Sequence, residues 1–186
     1  MKQQQSSWAG RAVQALVAAA CLAGPLAALA EDVIDIGEQM PQAQAIKDGL
    51  FPEDECQQLK EAGFKCMGFK PAVRFSLPAT SFRLGSAELP DLLRQQLDVF
   101  AEVLRGKKGS TQTVRIEGHA DASGAKDANQ ALSQRRAEAV KQYLVKNGAD
   151  ASMLQTVGLG DEHPKAGTNP FAAENRRVEF GRVTPP

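Results

Sequence analysis

The alternation of apolar and polar positions from residue 72 onward predicts a chain of alternating strands and helices. Residues 73–77, 113–118 and 177–183 alternate with a period of two, as expected of strands that bury one face. Residues 154–160 form a further strand-like stretch. Because each strand keeps a polar side, helices are expected to cover only one face of the sheet.

The same pattern predicts two longer helices between these strands. The first has a single apolar stripe made by Leu93, Leu97, Phe100 and Leu104. The second is expected from about residue 126 to 147, where Gly148 ends it. Together these elements indicate a two-layer α+β domain over residues 71–184.

Residues 1–30 have the features of a secretory signal peptide. The only charges before Glu31 are those of Lys2 and Arg11, and an apolar run then ends in Ala-Leu-Ala at 28–30. We predict cleavage after Ala30 and export to the periplasm, where association with the outer membrane is a further expectation.

Two alternatives for this leader remain open. An uncleaved anchor is disfavoured because Gly24 and Pro25 interrupt the apolar run, whereas a membrane span needs about 20 uninterrupted apolar residues. Lipid attachment at Cys21 is disfavoured because the mature chain would then begin with the apolar stretch 22–30.

The charge balance argues against one class of partner. The chain has 22 basic and 22 acidic residues, and removal of the leader takes away two of the basic ones. The mature protein is therefore slightly acidic and has no polybasic cluster. Because nucleic-acid binding requires a basic face, no nucleic-acid partner is expected.

Residues 31–70 form an N-terminal segment with two short helices predicted at about 42–50 and 53–62. Cys56 and Cys66 lie close in sequence and are expected to form a disulfide in an oxidising compartment. A redox or metal site is the rival interpretation, but nothing flanks the two cysteines with ligand spacing. The segment either recruits an envelope protein partner or caps the main domain.

The long helix contains an arginine where its apolar stripe should continue. Leu132 and Val140 define the buried stripe, and Arg136 lies between them at helical spacing. A buried guanidinium without a partner costs several kcal/mol, so an anionic partner is required. Asn129 lies seven residues earlier, on a polar ridge beside the stripe.

A candidate anionic partner lies in the loop before this helix. Asp121 follows the C-terminal end of a strand, which is the edge of an open sheet that ligands favour. Asp121, Asn129 and Arg136 could converge there and bind a zwitterion, with the carboxylate facing an ammonium and the guanidinium facing a carboxylate. An internal Asp121–Arg136 salt bridge explains the pattern equally well.

Four strings of residues resemble, in order, the OmpA-like peptidoglycan-binding family. Residues 114–121 read Val-Arg-Ile-Glu-Gly-His-Ala-Asp, and residues 129–137 read Asn-Gln-Ala-Leu-Ser-Gln-Arg-Arg-Ala. Residues 157–164 read Val-Gly-Leu-Gly-Asp-Glu-His-Pro, and residues 175–179 read Asn-Arg-Arg-Val-Glu. Each string is weak alone, but four in register over about 80–183 make the resemblance specific.

The resemblance implies a β-α-β-α-β-β fold with a mixed four-stranded sheet. It also implies non-catalytic binding of peptidoglycan through the diaminopimelate of the stem peptide. In the family, the aspartate matching Asp121 holds the diaminopimelate ammonium and the arginine matching Arg136 holds its carboxylate. Asn129 matches a residue that lines the same pocket, and Arg177 is our choice for a further contact.

One stretch departs from the family pattern. Residues 82–87 read Phe-Arg-Leu-Gly-Ser-Ala, where the family usually has Phe-Asp-Phe-Asp-Ser-Ala. Arg83 and Gly85 thus replace two acids, and Ala120 replaces a threonine. The departure favours an alternative function, a periplasmic protein–protein adaptor that keeps the fold without binding the wall.

The sequence indicates neither a metal site nor an enzyme. His119, Asp121 and His163 offer a two-ligand fragment at best, whereas zinc sites use three or four ligands. Ser123 and Ser133 lack an adjacent base, and no carboxylate pair can be placed across a glycosidic bond. We expect no cofactor.

Overall fold

The computed structural model describes residues 32–66, 71–78, 82–83 and 85–183. The predicted signal peptide at 1–30, its cleavage site and Cys21 lie outside this part of the chain. Within the described ranges, no helix has the length and apolar character needed to cross a membrane.

One mixed sheet forms the centre of the protein. Its strands in the described part of the chain are β1 Val33–Asp35, β2 Arg74–Pro78, β3 Val114–His119, β4 Leu154–Gly158 and β5 Arg177–Arg182. Their spatial order is β1-β2-β5-β3-β4. The central strand β5 pairs antiparallel with β2 and β3, whereas β1 pairs parallel with β2 and β4 pairs parallel with β3.

The predicted α+β class and mixed sheet are confirmed, but the expected number of four strands is wrong. Strand β1, from the N-terminal segment, adds a fifth strand at the edge of the sheet. Three residues are too few for a period-two pattern to stand out, which explains why sequence reasoning missed this strand.

Four α-helices accompany the sheet in the described residues. They are α1 Ala43–Leu50, α2 Glu53–Glu61, α3 Asp91–Arg105 and α4 Lys126–Lys146. The two short helices of the N-terminal segment and the long helix before Gly148 lie within one or two residues of their predicted bounds.

One hydrophobic core lies between the sheet and the helices. The strand register brings Phe75 and Ile116 beside Phe180 of the central strand. Phe100 of α3 stacks on Phe180 with ring centroids 4.5 Å apart, and its ring meets Phe75 edge-on at 5.9 Å. Ile46 of α1 is also fully buried here, so the N-terminal segment contributes to the same core as the main domain.

Two glycines allow α4 to pack directly on the sheet. A Cβ at Gly118 would lie 2.1 Å from the carbonyl oxygen of Ser133, and a Cβ at Gly158 would lie 2.4 Å from the backbone nitrogen of Gln134. Both neighbours are backbone atoms of α4, so neither can turn away. Helix α4 is therefore held against the ends of β3 and β4, where the candidate site lies.

The predicted disulfide is present between Cys56 of α2 and Cys66, whose Cα atoms are 5.5 Å apart. Between them, Gly63 ends the helix in a left-handed conformation with φ 84°. The amide of Phe64 donates to the carbonyl of Leu59 across 2.8 Å in the same turn. The bond closes a loop that contributes little to the core beyond Cys56 itself.

Candidate functional site

An open cavity of about 510 Å³ lies where the loop after β3 meets the N-terminal half of α4. Its polar lining includes Asp121, Asn129, Arg135, Arg136 and Arg176. Three of the four predicted ligand-binding residues therefore meet at one place, as the strand and helix spacings predict. The fourth, Arg177, does not line this cavity.

Asp121 is the acidic group of the cavity, and both of its carboxylate oxygens are engaged. Oδ1 accepts a hydrogen bond from the amide of Ser123 across 2.9 Å, and Oδ2 accepts one from Nη1 of Arg176 across 2.6 Å. Burial alone would raise the pKa of Asp121, but the bonds from Arg176 and Ser123 outweigh it and hold that pKa below its ordinary value of 3.8. The carboxylate is therefore ionised at neutral pH.

The loop that holds Asp121 is fixed from both sides. The amide of Ala120 donates to the carbonyl of Gly160 across 2.7 Å, and the amide of Ala122 donates to the carbonyl of Pro170 across 2.9 Å. Nδ2 of Asn129 reaches back from α4 to the carbonyl of Asp121 across 3.1 Å. Asn129 thus ties the helix to the loop, as well as lining the cavity.

Arg136 is the deeply placed cation of the cavity, with only 2% of its surface exposed. Its Nε donates to the carbonyl of Ser86 across 3.0 Å, and the guanidinium lies 4.6 Å from the ring centroid of Phe82. Nη1 is buried and has no hydrogen-bond partner among the residues the structure describes. A guanidinium held on one side and unsatisfied on another suits an incoming carboxylate.

The charge of Arg136 persists at neutral pH despite its burial. Burial, with repulsion from Arg176 as a smaller cause, lowers the pKa of its guanidinium from 12.5 to about 10, and attraction to Asp121 opposes this shift. Asp121 and Arg136 thus attract each other across the cavity without forming an ion pair in the described structure, where Arg176 is the carboxylate's partner. The alternative of an internal Asp121–Arg136 salt bridge is therefore not what the structure shows.

The geometry replaces Arg177 by Arg176 as the arginine that lines the cavity. Side chains of consecutive strand residues point to opposite faces of a sheet. Arg177 shares the open face with Glu179, to which its Nε donates across 2.5 Å, and Nη2 donates to the carbonyl of His163. Arg176 lies on the side of the core residue Val178, where the helices and the cavity are. The alternation of β5, in which Val178 points to the core, is the sequence signal that identifies Arg176.

Two further lining residues were not expected from the sequence. Arg135, the neighbour of Arg136 in α4, is exposed and lines the rim of the cavity. Gly85, which replaces an acid of the family pattern, lies in the wall with φ 68° and has nothing within 4 Å of the position of a Cβ. At position 85 there is therefore no acidic side chain that could pair with the arginines of the cavity.

A second charged cluster lies on the open face of the sheet. Arg74 pairs with Glu117 and with Glu179, which face each other across β3 and β5. His119 is buried beside them, with Nε2 3.8 Å from Glu117 and 3.9 Å from Glu179. Burial lowers the pKa of His119 to about 3, and repulsion from Arg177 acts in the same direction. The imidazole is therefore neutral.

This cluster does not fit a metal ion, although ligand atoms of Glu117, His119 and Glu179 lie within 4.8 Å of one another. Both carboxylates are already neutralised by guanidinium groups, which would repel a cation. The fragment considered from the sequence, His119 with Asp121 and His163, is also divided, since Asp121 lies in the cavity on the helix side.

Sequence comparison places the chain beside known envelope proteins. The model of the OmpA family matches residues 81–177. The peptidoglycan-associated lipoprotein of Pseudomonas aeruginosa is 42% identical over 101 residues, which are 53% of this chain and 58% of the relative. The probable lipoprotein YiaD of Escherichia coli is 39% identical over 102 residues, 54% of this chain and 46% of the relative. The matched region thus spans about half of the length of these two relatives.

Solved structures share the architecture. The peptidoglycan-associated lipoprotein from Burkholderia pseudomallei is 30% identical, with a TM-score of 0.50 over 55% of this chain and 86% of that one. The C-terminal domain of Helicobacter pylori MotB, at 20% identity, has a TM-score of 0.50 over 58% of this chain and 84% of that one, and shows the fold alone. Because the family model covers more than half of the sequence, this chain belongs to the OmpA family.

Proposed function

We propose that this protein binds peptidoglycan non-catalytically, through the diaminopimelate residue of the stem peptide. The observation that carries the proposal is the pairing, in one cavity, of an ionised Asp121 with a buried Arg136 whose Nη1 has no hydrogen-bond partner in the described structure. A zwitterion matches these two groups, because its ammonium suits the carboxylate and its carboxylate suits the guanidinium.

The similarities support a role at the cell wall. Two relatives are named peptidoglycan-associated lipoproteins. They come from Pseudomonas aeruginosa and Pseudomonas putida and are 42% and 39% identical to this chain over the matched residues. Another relative, from Pseudomonas fluorescens, is named outer membrane porin F. These names support the proposed location in the periplasm, in association with the outer membrane. Export by a cleavable signal peptide at residues 1–30 is a further part of the proposal.

Each residue of the cavity has a distinct part in the proposed complex. Asp121 accepts hydrogen bonds from the ammonium, and Arg136 donates to the distal carboxylate of diaminopimelate. Asn129 holds the Asp121 loop against α4 and so fixes the distance between the two charges. Arg176, which donates a hydrogen bond to Asp121 in the structure, is the further contact that we had expected of Arg177.

Binding of a single stem peptide is expected to be weak. Two or three charge-assisted hydrogen bonds, each contributing about 1.5–3 kcal/mol, must offset the entropy lost on association. The dissociation constant should therefore lie between roughly micromolar and millimolar, and rise with ionic strength. The wall presents many stem peptides, so the protein and any partner bound to residues 31–70 would be tethered by repeated weak binding.

Sedimentation with purified sacculi tests the proposal. Asp121→Asn and Arg136→Gln should each reduce the fraction of protein that sediments, with circular dichroism spectra unchanged. Arg94→Gln is the matched control, because Arg94 of α3 is half-exposed, lies outside the cavity lining and, among the residues the structure describes, forms its ion pair with Asp91 of the same helix. Equal sedimentation of wild type and both cavity variants would overturn the site. Failure of the wild type itself to sediment would favour the protein–protein adaptor.

A further inference from the structure

The cavity has more positive charge than a simple zwitterion can neutralise. Of the described residues that line it, three are arginines, at 135, 136 and 176, and one is an acid, Asp121. Gly85 adds no side chain where the family usually has an acid. The lining therefore has a net charge of about +2, and a ligand with equal numbers of carboxylates and ammonium groups leaves that excess in place.

The three arginines differ in their freedom to move. Arg136 is held by Ser86 and by the ring of Phe82, and it is almost fully buried. Arg176 has about a third of its side chain exposed, and Arg135 lies at the open rim. Arg136 is thus a fixed anchor, whereas Arg176 and Arg135 can turn toward a ligand that enters beside them.

Ligand binding must also change the pairing of Arg176. In the free protein its Nη1 donates to Oδ2 of Asp121 across 2.6 Å. An ammonium that binds Asp121 competes for the same oxygen, and Arg176 then loses part of its partner. Repulsion between Arg136 and Arg176 already contributes to the lowered pKa of Arg136, so displacement without a second anion would be unfavourable.

We infer that the cavity selects stem peptides whose diaminopimelate residue itself has two free carboxylates beside its one ammonium, with the second of these carboxylates held by Arg176 and Arg135. This chemistry is found where diaminopimelate is the last residue of its stem, because its second carboxylate is then free and not part of a peptide bond. The inference rests on the proposed function and specifies which stem peptides are bound best. Stems extended or capped at that carboxylate bind less well.

Titration calorimetry with two synthetic peptides tests this selectivity on the full mature chain. Both peptides have the sequence L-Ala-γ-D-Glu-diaminopimelate, and the second has a carboxamide in place of the C-terminal carboxylate. The free acid should bind wild type about tenfold more tightly, which is the effect of one charge-assisted hydrogen bond. In Arg176→Gln and in Arg135→Gln the ratio of the two dissociation constants should fall toward one, whereas Arg94→Gln should keep the wild-type ratio.

The outcomes separate this inference from the proposed function. Equal binding of both peptides by wild type, lost in Asp121→Asn, would overturn the selectivity and leave diaminopimelate binding in place. A tenfold ratio that persists in both Arg176→Gln and Arg135→Gln would overturn the assignment of those arginines. Failure of wild type to bind either peptide would overturn the proposed function itself.

Discussion

The guanidinium of Arg176 donates a hydrogen bond across 2.6 Å to the carboxylate of Asp121, and Arg136 does not share that ion pair in the described structure. The two ends of the cavity are therefore prepared differently. The acidic end is held ionised by an internal cation, whereas the basic end keeps a buried donor without a partner. In the proposed complex, the ligand ammonium would replace Arg176 as the partner of Asp121, whereas the ligand carboxylate would bind Arg136 without displacing another group.

Neutralising Arg176 and neutralising Arg177 should affect stability and binding differently, although the two residues are adjacent. Arg177→Gln leaves the buried Glu179 with Arg74 alone, and loss of one partner of a buried pair costs up to about 3–5 kcal/mol. Arg176→Gln removes a partly exposed pair and should cost less than about 1 kcal/mol. Chemical denaturation measures both free energies of unfolding.

The binding measurement for this pair is sedimentation with sacculi. Arg176→Gln should lower the bound fraction, because it removes a guanidinium that contacts the ligand in the proposed complex. At a temperature where Arg177→Gln is folded, its bound fraction should match that of wild type. Loss of binding in Arg177→Gln with an unchanged free energy of unfolding would return Arg177 to the site.

Most of the fold could be predicted from the sequence because long elements repeat their pattern several times. Helix α4 has 21 residues, and its buried stripe identifies Arg136 as the one charged residue facing inward. The convergence of Asp121 with Arg136 follows from the position of one at a strand end and of the other on the inner side of the next helix. Local periodicity suffices for both.

Partner choice could not be predicted in the same way. Both Arg136 and Arg176 line the cavity with Asp121, and which of them forms the ion pair depends on the fold of the chain between Asp121 and Arg176, which are 55 positions apart. The burial of Arg136 against Phe82 likewise depends on a contact between distant segments. Spacing along one element contains no information on such contacts, so periodicity alone supports the internal salt bridge and the ligand site equally.

The close approach of α4 to β3 predicts a large effect of one added methyl group. Gly118→Ala would place a Cβ 2.1 Å from the carbonyl oxygen of Ser133, and only a shift of the helix can relieve this contact. Overpacking of this kind typically costs about 1–3 kcal/mol, and a backbone neighbour places it at the upper end. Thermal or urea unfolding measures the change.

Gly106→Ala is the matched control for that substitution. Gly106 has an ordinary φ of −66° at the end of α3, and the one neighbour within 4 Å of its Cβ position is a carbonyl oxygen at 3.3 Å. The free energy of unfolding should change much less in Gly106→Ala than in Gly118→Ala. Equal effects in the two variants would mean that α4 can withdraw from the sheet without cost.

Removal of the disulfide should reduce stability without altering the cavity. The bond joins residues 10 apart, and in the chain-entropy description a loop of this size contributes about 2–3 kcal/mol. Cys56→Ser combined with Cys66→Ser should lower the free energy of unfolding by that amount, and sacculus binding should be retained at 25 °C. A loss of binding in the folded double variant would show that residues 31–70 take part in recognition.

The buried imidazole of His119 predicts a loss of stability in mild acid. Burial lowers its pKa from 6.5 to about 3, an effect increased by Arg177, by Arg74 and least by His163, and opposed by Glu179. Between these two values the unfolded chain binds a proton that the folded protein does not, so stability falls as the pH falls through that window. From pH 7 to pH 5, above the range in which carboxylates protonate, the loss from this one group should be about 2 kcal/mol.

Urea unfolding at pH 7 and pH 5 measures this dependence in wild type and two variants. His119→Gln should remove most of the loss, whatever its stability at pH 7, because glutamine does not titrate. His163→Gln is the matched control, since His163 is the other histidine of the sequence and is exposed in a loop. The change between the two pH values should persist in that variant. A wild-type protein equally stable at pH 7 and pH 5 would show that the folded protein can protonate His119, with Glu117 and Glu179 as its counter-ions.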